Sequence, residues 1–126
     1  MTSDIASLQD IHSIITQFYE NLLNDATMSP FFETFVRQNK LEHHLEIVAH
    51  FWHDILFETQ MYHENVMQKH LQQNALIRFE KAHFERWTSY FTTTIDASFE
   101  GPQATKMKQR ALSIATVMQL KMHHSS

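Results

Sequence analysis

Tyr19, His44, His70 and Trp87 carry polar tips, yet each lies on a helix face that otherwise reads as apolar. A buried polar group left without a partner costs about 1–3 kcal/mol, so such groups pair within the core or serve a ligand. Taken alone, each has an ordinary explanation. His70 follows Met67 on the stripe begun by Val66. It reads first as a core histidine bonded to a carbonyl, and second as a metal ligand, the commonest of which is neutral imidazole. Tyr19 follows Phe18 on the stripe of the first helix, and a core tyrosine reaches backbone with its hydroxyl. His44 sits on the Leu41, Leu45, Val48 face, and Trp87 is a large core residue whose indole N–H needs one acceptor. Four independent satisfactions in one small core are a demanding requirement. The alternative is convergence on something polar held in an apolar interior.

Two further constellations have metal-ligand spacing. His43, Glu46, His50 and His53 fall on a second face of the helix that carries His44, and steps of three and four can hold a metal. A solvated polar face rich in histidine explains them more simply. Glu80-x-x-His83 is half of a di-iron carboxylate signature, which needs a second such pair and two further glutamates; no second pair is present. The chain has no His-Glu-x-x-His zinc motif, glycine-rich phosphate loop or Gly-x-Ser-x-Gly elbow.

The elements that must position these residues are helices. Leu8, Ile11, Ile15, Phe18, Leu22 and Leu23 recur at three- and four-residue steps. Ser7 and Asp10 form a capping pair at the start, and Asn24-Asp25 ends the run. Ser29-Pro30 opens a short helix with Ser29 as cap, containing Phe31, Phe32 and Phe35. A long helix follows with Leu41, His44, Leu45, Val48, Phe51, Trp52, Ile55 and Leu56 on one face. After the polar stretch Glu58 to Glu64 comes a short helix with Val66, Met67, His70 and Leu71. Phe79, His83 or Phe84, Trp87, Phe91, Ile95 and Phe99 define another long helix, stopped by Gly101-Pro102. Ala104 to Met122 completes the last. The pattern predicts one all-α domain over residues 1–126, with five or six amphipathic helices and frayed ends at 1–7 and 123–126.

Composition narrows the functions further. A chain of 126 residues buries roughly two-thirds of its unfolded surface and needs no staples. It has no cysteine, which excludes disulfides, iron–sulfur clusters, zinc–thiolate sites and thiol nucleophiles. The net charge of −4 and the lack of a basic stripe argue against nucleic acid as a partner. No apolar run approaches the roughly 20 residues of a membrane span. The start, Met1 to Ala6, has no positive region followed by an apolar run, so no signal peptide is read and a cytoplasmic location is expected. One glycine among 126 residues leaves little room for tight turns with positive φ.

In order along the chain, Phe18-Tyr19-Glu20, Asp25, Pro30-Phe31-Phe32, His44, Phe51-Trp52, Tyr62, Lys69-His70-Leu71, Phe84-x-x-Trp87-x-x-x-Phe91 and Arg110-Ala111 with Ile114-Ala115 resemble the truncated haemoglobins. The resemblance runs from about Ile11 to Met118. It is nearest to group III, because groups I and II usually carry glycine pairs at helix junctions and this chain has its one glycine at position 101. The segment between His70 and Trp87 is a few residues longer than the family pattern.

The resemblance implies a truncated-globin fold, a helical sandwich around a pocket for non-covalent haem b. His70 would be the proximal iron ligand. Its other ring nitrogen would need an acceptor to set the tautomer. Lys69 and Arg78 would pair with the propionates. Phe31, Phe32, Val48, Phe51, Val66, Met67, Trp87 and Phe91 would line the slot. Tyr19, His44 and Trp87 would face the bound gas (O2, NO or CO) and hydrogen-bond it, with His44 also within reach of the sixth coordination position. Oxygen or nitric oxide chemistry is then expected rather than bulk transport. A redox enzyme, either a nitric oxide dioxygenase or a peroxidase-like catalyst served by an external reductase, is the alternative. A haem-free helical interaction module is the second alternative.

Overall fold

The computed structural model describes residues 3–60 and 80–125. Along them run α1 (Leu8–Leu23), a 3₁₀ turn (Ser29–Phe31), α2 (Glu33–Arg37), α3 (Leu41–Phe57), α4 (Lys81–Ser98) and α5 (Pro102–Ser125). The architecture is all-α. Among the described residues the sole β pairing is an isolated bridge between Ser3 and Phe99. The short helix expected around Val66 to Leu71 lies outside the described residues.

Helix α1 begins as its sequence implies. Ser7 is extended, its Oγ accepts the Asp10 N–H at 3.2 Å, and the Asp10 carboxylate accepts the Ala6 N–H at 2.9 Å. Such a cap contributes about 1 kcal/mol. Ile11, Ile14, Ile15, Phe18, Tyr19 and Leu22 form its buried face.

The next start differs from expectation. Met28, not Ser29, occupies the cap position of the 3₁₀ turn, and no side chain caps it. Asp25 has already turned the chain there. Its Oδ1 accepts from Thr27 N at 2.7 Å and Met28 N at 3.2 Å, and its carbonyl accepts from Ser29 N at 2.8 Å. Pro30 stays in the first turn, where the missing N–H costs nothing.

Residues 3–5 of the amino-terminal segment bond and pack against the helices. Ser3 accepts the Glu100 N–H through its carbonyl at 3.0 Å, and Ile5 is 2% exposed. The Asp4 carboxylate caps α5 from the far end of the chain, accepting Gln103 N–H at 3.0 Å and Ala104 N–H at 2.9 Å. Burial opposes its charge, but these bonds and one from Ile5 N–H prevail and lower its pKa. At the other end, helical backbone continues through Ser125.

Helix α1 packs against both α3 and α4, and α4 packs against α5. Phe18, Leu22, Met28, Phe91, Ile95 and Met107 are among the side chains fully sealed between them. Phe91 stands at the centre of an aromatic group. It stacks with Trp52 at 5.2 Å and Trp87 at 5.5 Å and meets Phe18 edge-on at 4.9 Å. Contacts of this kind contribute about 0.5–1.5 kcal/mol each beyond area burial.

Candidate ligand site

The contact between α1 and α3 brings Tyr19 and His44 together. The hydroxyl lies 2.9 Å from His44 Nε2, the rings are nearly perpendicular, and both side chains are buried. Position explains the pairing. Tyr19 sits on the same face of α1 as Ile15 and Leu22, while His44 heads the stripe that continues through Leu45 and Val48 in α3. When the two apolar faces close, their polar tips meet. The rings of Phe18 and Phe32 stand edge-on to Tyr19 at 5.4 and 5.2 Å, and Phe31 and Val48 are also buried. Burial pushes the Tyr19 hydroxyl far above its ordinary range, so it remains a neutral donor.

Trp87 stands one ring away from this pair. It is half-buried, edge-on to Phe18 at 5.5 Å and stacked parallel to Phe91. Phe18 therefore touches both Tyr19 and Trp87 and links them. Periodicity places Phe18 on the inward stripe but carries no sign of this linking position. Phe51 is partly buried and edge-on to Trp52. Val66, Met67, Lys69, His70 and Arg78 lie outside the described residues.

A cluster around Asp25 has no counterpart among the sequence expectations. Its carboxylate accepts a 2.6 Å bond from the Tyr90 hydroxyl and a 2.8 Å bond from Arg86, fastening the end of α1 to α4. The Tyr90 bond first, then Arg86 and the backbone N–H groups, hold the Asp25 pKa at about 2 against the opposing effect of burial. Its partners lie 61 and 65 positions away, a separation that no local pattern registers.

The other spaced His and Glu residues have local uses. Glu80 and His83 form a capping box at the start of α4, with the Glu80 N–H donating to His83 Nδ1 at 2.8 Å. The half-signature of a di-iron site is thus a helix cap, and the His83 ring also meets Phe31 at 4.8 Å. Glu46 and His50 line an open groove between α1 and α3, whereas His53 bonds Thr59 at 2.8 Å beyond the end of α3. No group of three or more His, Asp or Glu side chains is gathered to hold a metal among the described residues.

The site therefore offers two buried, hydrogen-bonded polar tips in an apolar wall, able to bond a small dipolar guest. No helix among the described residues is long and apolar enough to cross a membrane. No family model and no curated protein matches the chain. Among solved structures it is similar to the crystal structure of a group III truncated hemoglobin from Campylobacter jejuni, with a TM-score of 0.84 and 22% identity, covering 97% of this chain and 95% of that one. At that distance in sequence the likeness establishes architecture, and the chain has the truncated-globin fold.

Proposed function

We propose that this protein binds haem b without a covalent link and uses it to hold a diatomic gas, O2 foremost and NO or CO as well. The observation that carries the reading is the fold shared with a haemoglobin, in which Tyr19 and His44 bring two polar tips together in an apolar wall. Haem would supply a ferrous iron at which such a gas binds, and His70 is assigned as its proximal ligand.

The donor set suits that guest. A bound diatomic gas acquires partial negative charge, and neutral donors stabilise it without the cost of burying an ion. Tyr19 keeps its proton. If His44 Nε2–H donates to the Tyr19 oxygen, the Tyr19 O–H is released to donate to the guest. The imidazole tautomer thus decides whether the pair closes on itself or opens toward a ligand. Phe31, Phe32 and Val48, all buried, keep water from competing for those bonds. Trp87 closes the side formed by α4 and is assigned as a further donor; Lys69 and Arg78 are assigned to the propionates. Strong retention of the gas favours oxygen or nitric oxide chemistry over transport, with electrons from a separate reductase wherever turnover occurs.

One observation favours the haem-free reading: Tyr19 and His44 already satisfy each other. The absorption spectrum of the purified protein decides between the two. A Soret band after stoichiometric haem addition, lost in His70→Ala, is the expected result. No band in the unmodified chain overturns the proposal.

A further inference from the structure

The Tyr19–His44 pair is also built for a chemistry that requires no guest. A buried phenol holds its proton because its anion is poorly solvated. Loss of one electron reverses that balance, since a phenol radical cation is a strong acid and gives its proton to a base within hydrogen-bond reach. His44 Nε2 lies at that distance, 2.9 Å from the hydroxyl, and neutral imidazole is a base suited to neutral pH.

The electron has a route as well. Phe18 stands edge-on to Tyr19 at 5.4 Å and to Trp87 at 5.5 Å. Trp87 stacks on Phe91, which stacks on Trp52. Tyr19 is sealed in the core, whereas Trp87 is only half-buried. The series therefore joins an oxidisable ring inside the protein to one that solvent reaches.

We infer that Tyr19 and His44 form a proton-coupled redox pair that exchanges electrons with the exterior through Trp87. A high-potential one-electron oxidant, such as a trivalent metal polypyridyl complex, removes one electron. The Tyr19 O–H bond breaks, and the proton forms an N–H bond at His44 Nε2. The products are a neutral tyrosyl radical, an imidazolium and the oxidant reduced by one electron. A one-electron donor restores the phenol, and the proton returns along the same contact. The relay belongs to the tautomer in which His44 Nε2 accepts from Tyr19, the closed pair without a guest, and it draws on no haem, so its failure and the failure of the haem proposal are separate results.

The test is photo-oxidation of the full chain by a ruthenium polypyridyl with persulfate, read by electron paramagnetic resonance and transient absorption. The chain has three tyrosines, so a Tyr62→Phe, Tyr90→Phe background leaves Tyr19 alone. A tyrosyl radical is expected, narrowed by ring-deuterated tyrosine and formed more slowly in D2O. Trp87→Phe should slow its appearance. His44→Gln, which keeps an acceptor but takes no proton, should lose most of the signal. Absence of a tyrosyl radical, or an undiminished one in His44→Gln, overturns the inference. Should a variant fail to fold by circular dichroism, the difference spectrum between the natural sequence and Tyr19→Phe, with its solvent isotope effect, decides the same question.

Discussion

The Tyr19 hydroxyl and His44 Nε2 meet at 2.9 Å although 25 positions separate them. Each belongs to a different helix, and each interrupts an apolar stripe that is otherwise continuous. The contact thus records the register of α1 against α3. A shift of either helix by one turn would break this buried contact, and the loss of a buried partner costs about 1–3 kcal/mol.

Tyr19→Phe should therefore act in two ways. It removes the partner of a buried imidazole nitrogen, lowering unfolding free energy by about 1–3 kcal/mol in chemical denaturation. In the haem-loaded protein it should also speed O2 release about tenfold to a hundredfold, the loss of one hydrogen bond to a charged guest. Rapid-mixing kinetics measure the second effect. An unchanged release rate beside a lowered stability would make Tyr19 a core residue and not a ligand donor.

Glu80→Ala should cost about 0.5–2 kcal/mol, the value of a lost helix cap, and leave the iron content of the purified protein unchanged. Denaturation and metal analysis check the two halves. A fall in iron content would return Glu80 and His83 to the metal chemistry that their spacing suggested.

Some of this architecture was legible in the sequence because it is local. The step of three and four from Ile11 to Leu22, the Ser7–Asp10 cap and the stop at Gly101-Pro102 each draw on residues within a few positions. That Tyr19 and His44 point inward followed from the same periodicity. That they point at each other did not, because periodicity gives a face and not a register between helices. Asp25 and Asp4 were hidden for a related reason: a carboxylate beside a helix end reads as a local turn or cap, while its partners lie 61 to 100 positions away. Ser29 misled in the opposite direction. Its type suits a cap, but the turn built on Asp25 puts Met28 in the cap position instead.

Asp25 makes acid stability a test of the α1–α4 fastening. Its carboxyl titrates at about 2 in the folded state, below its ordinary 3.8. A depressed folded pKa contributes stability that is fully present above the unfolded value and is lost as pH falls through the folded one. The loss should occupy the window from about pH 4 down to about pH 2. Asp25→Asn should lower the denaturation midpoint at pH 7 and flatten the stability profile across that window. A variant as steep as the natural protein would assign the acid sensitivity to other carboxylates.

Gly101 and Asp4 form a second long-range dependence, and here backbone and side chain can be separated. Gly101 has φ of +144°, a conformation that residues with a Cβ rarely adopt, and a Cβ there would fall 2.6 Å from the Asp4 side-chain carbon. Gly101→Ala should therefore cost about 1–3 kcal/mol from backbone strain alone, with the collision added. Moving Asp4 aside to relieve that collision would in turn break its bonds to Gln103 N–H and Ala104 N–H. The Asp4 Cβ itself would lie 2.7 Å from the added atom, so it is Asp4→Gly that removes the obstacle and the cap together. In that background Gly101→Ala should cost less than in the natural chain, because only the strain remains. A double-mutant cycle by chemical denaturation isolates the coupling. Strictly additive effects would mean that Gly101 is required for its backbone conformation alone, and that the close approach of Asp4 imposes nothing further.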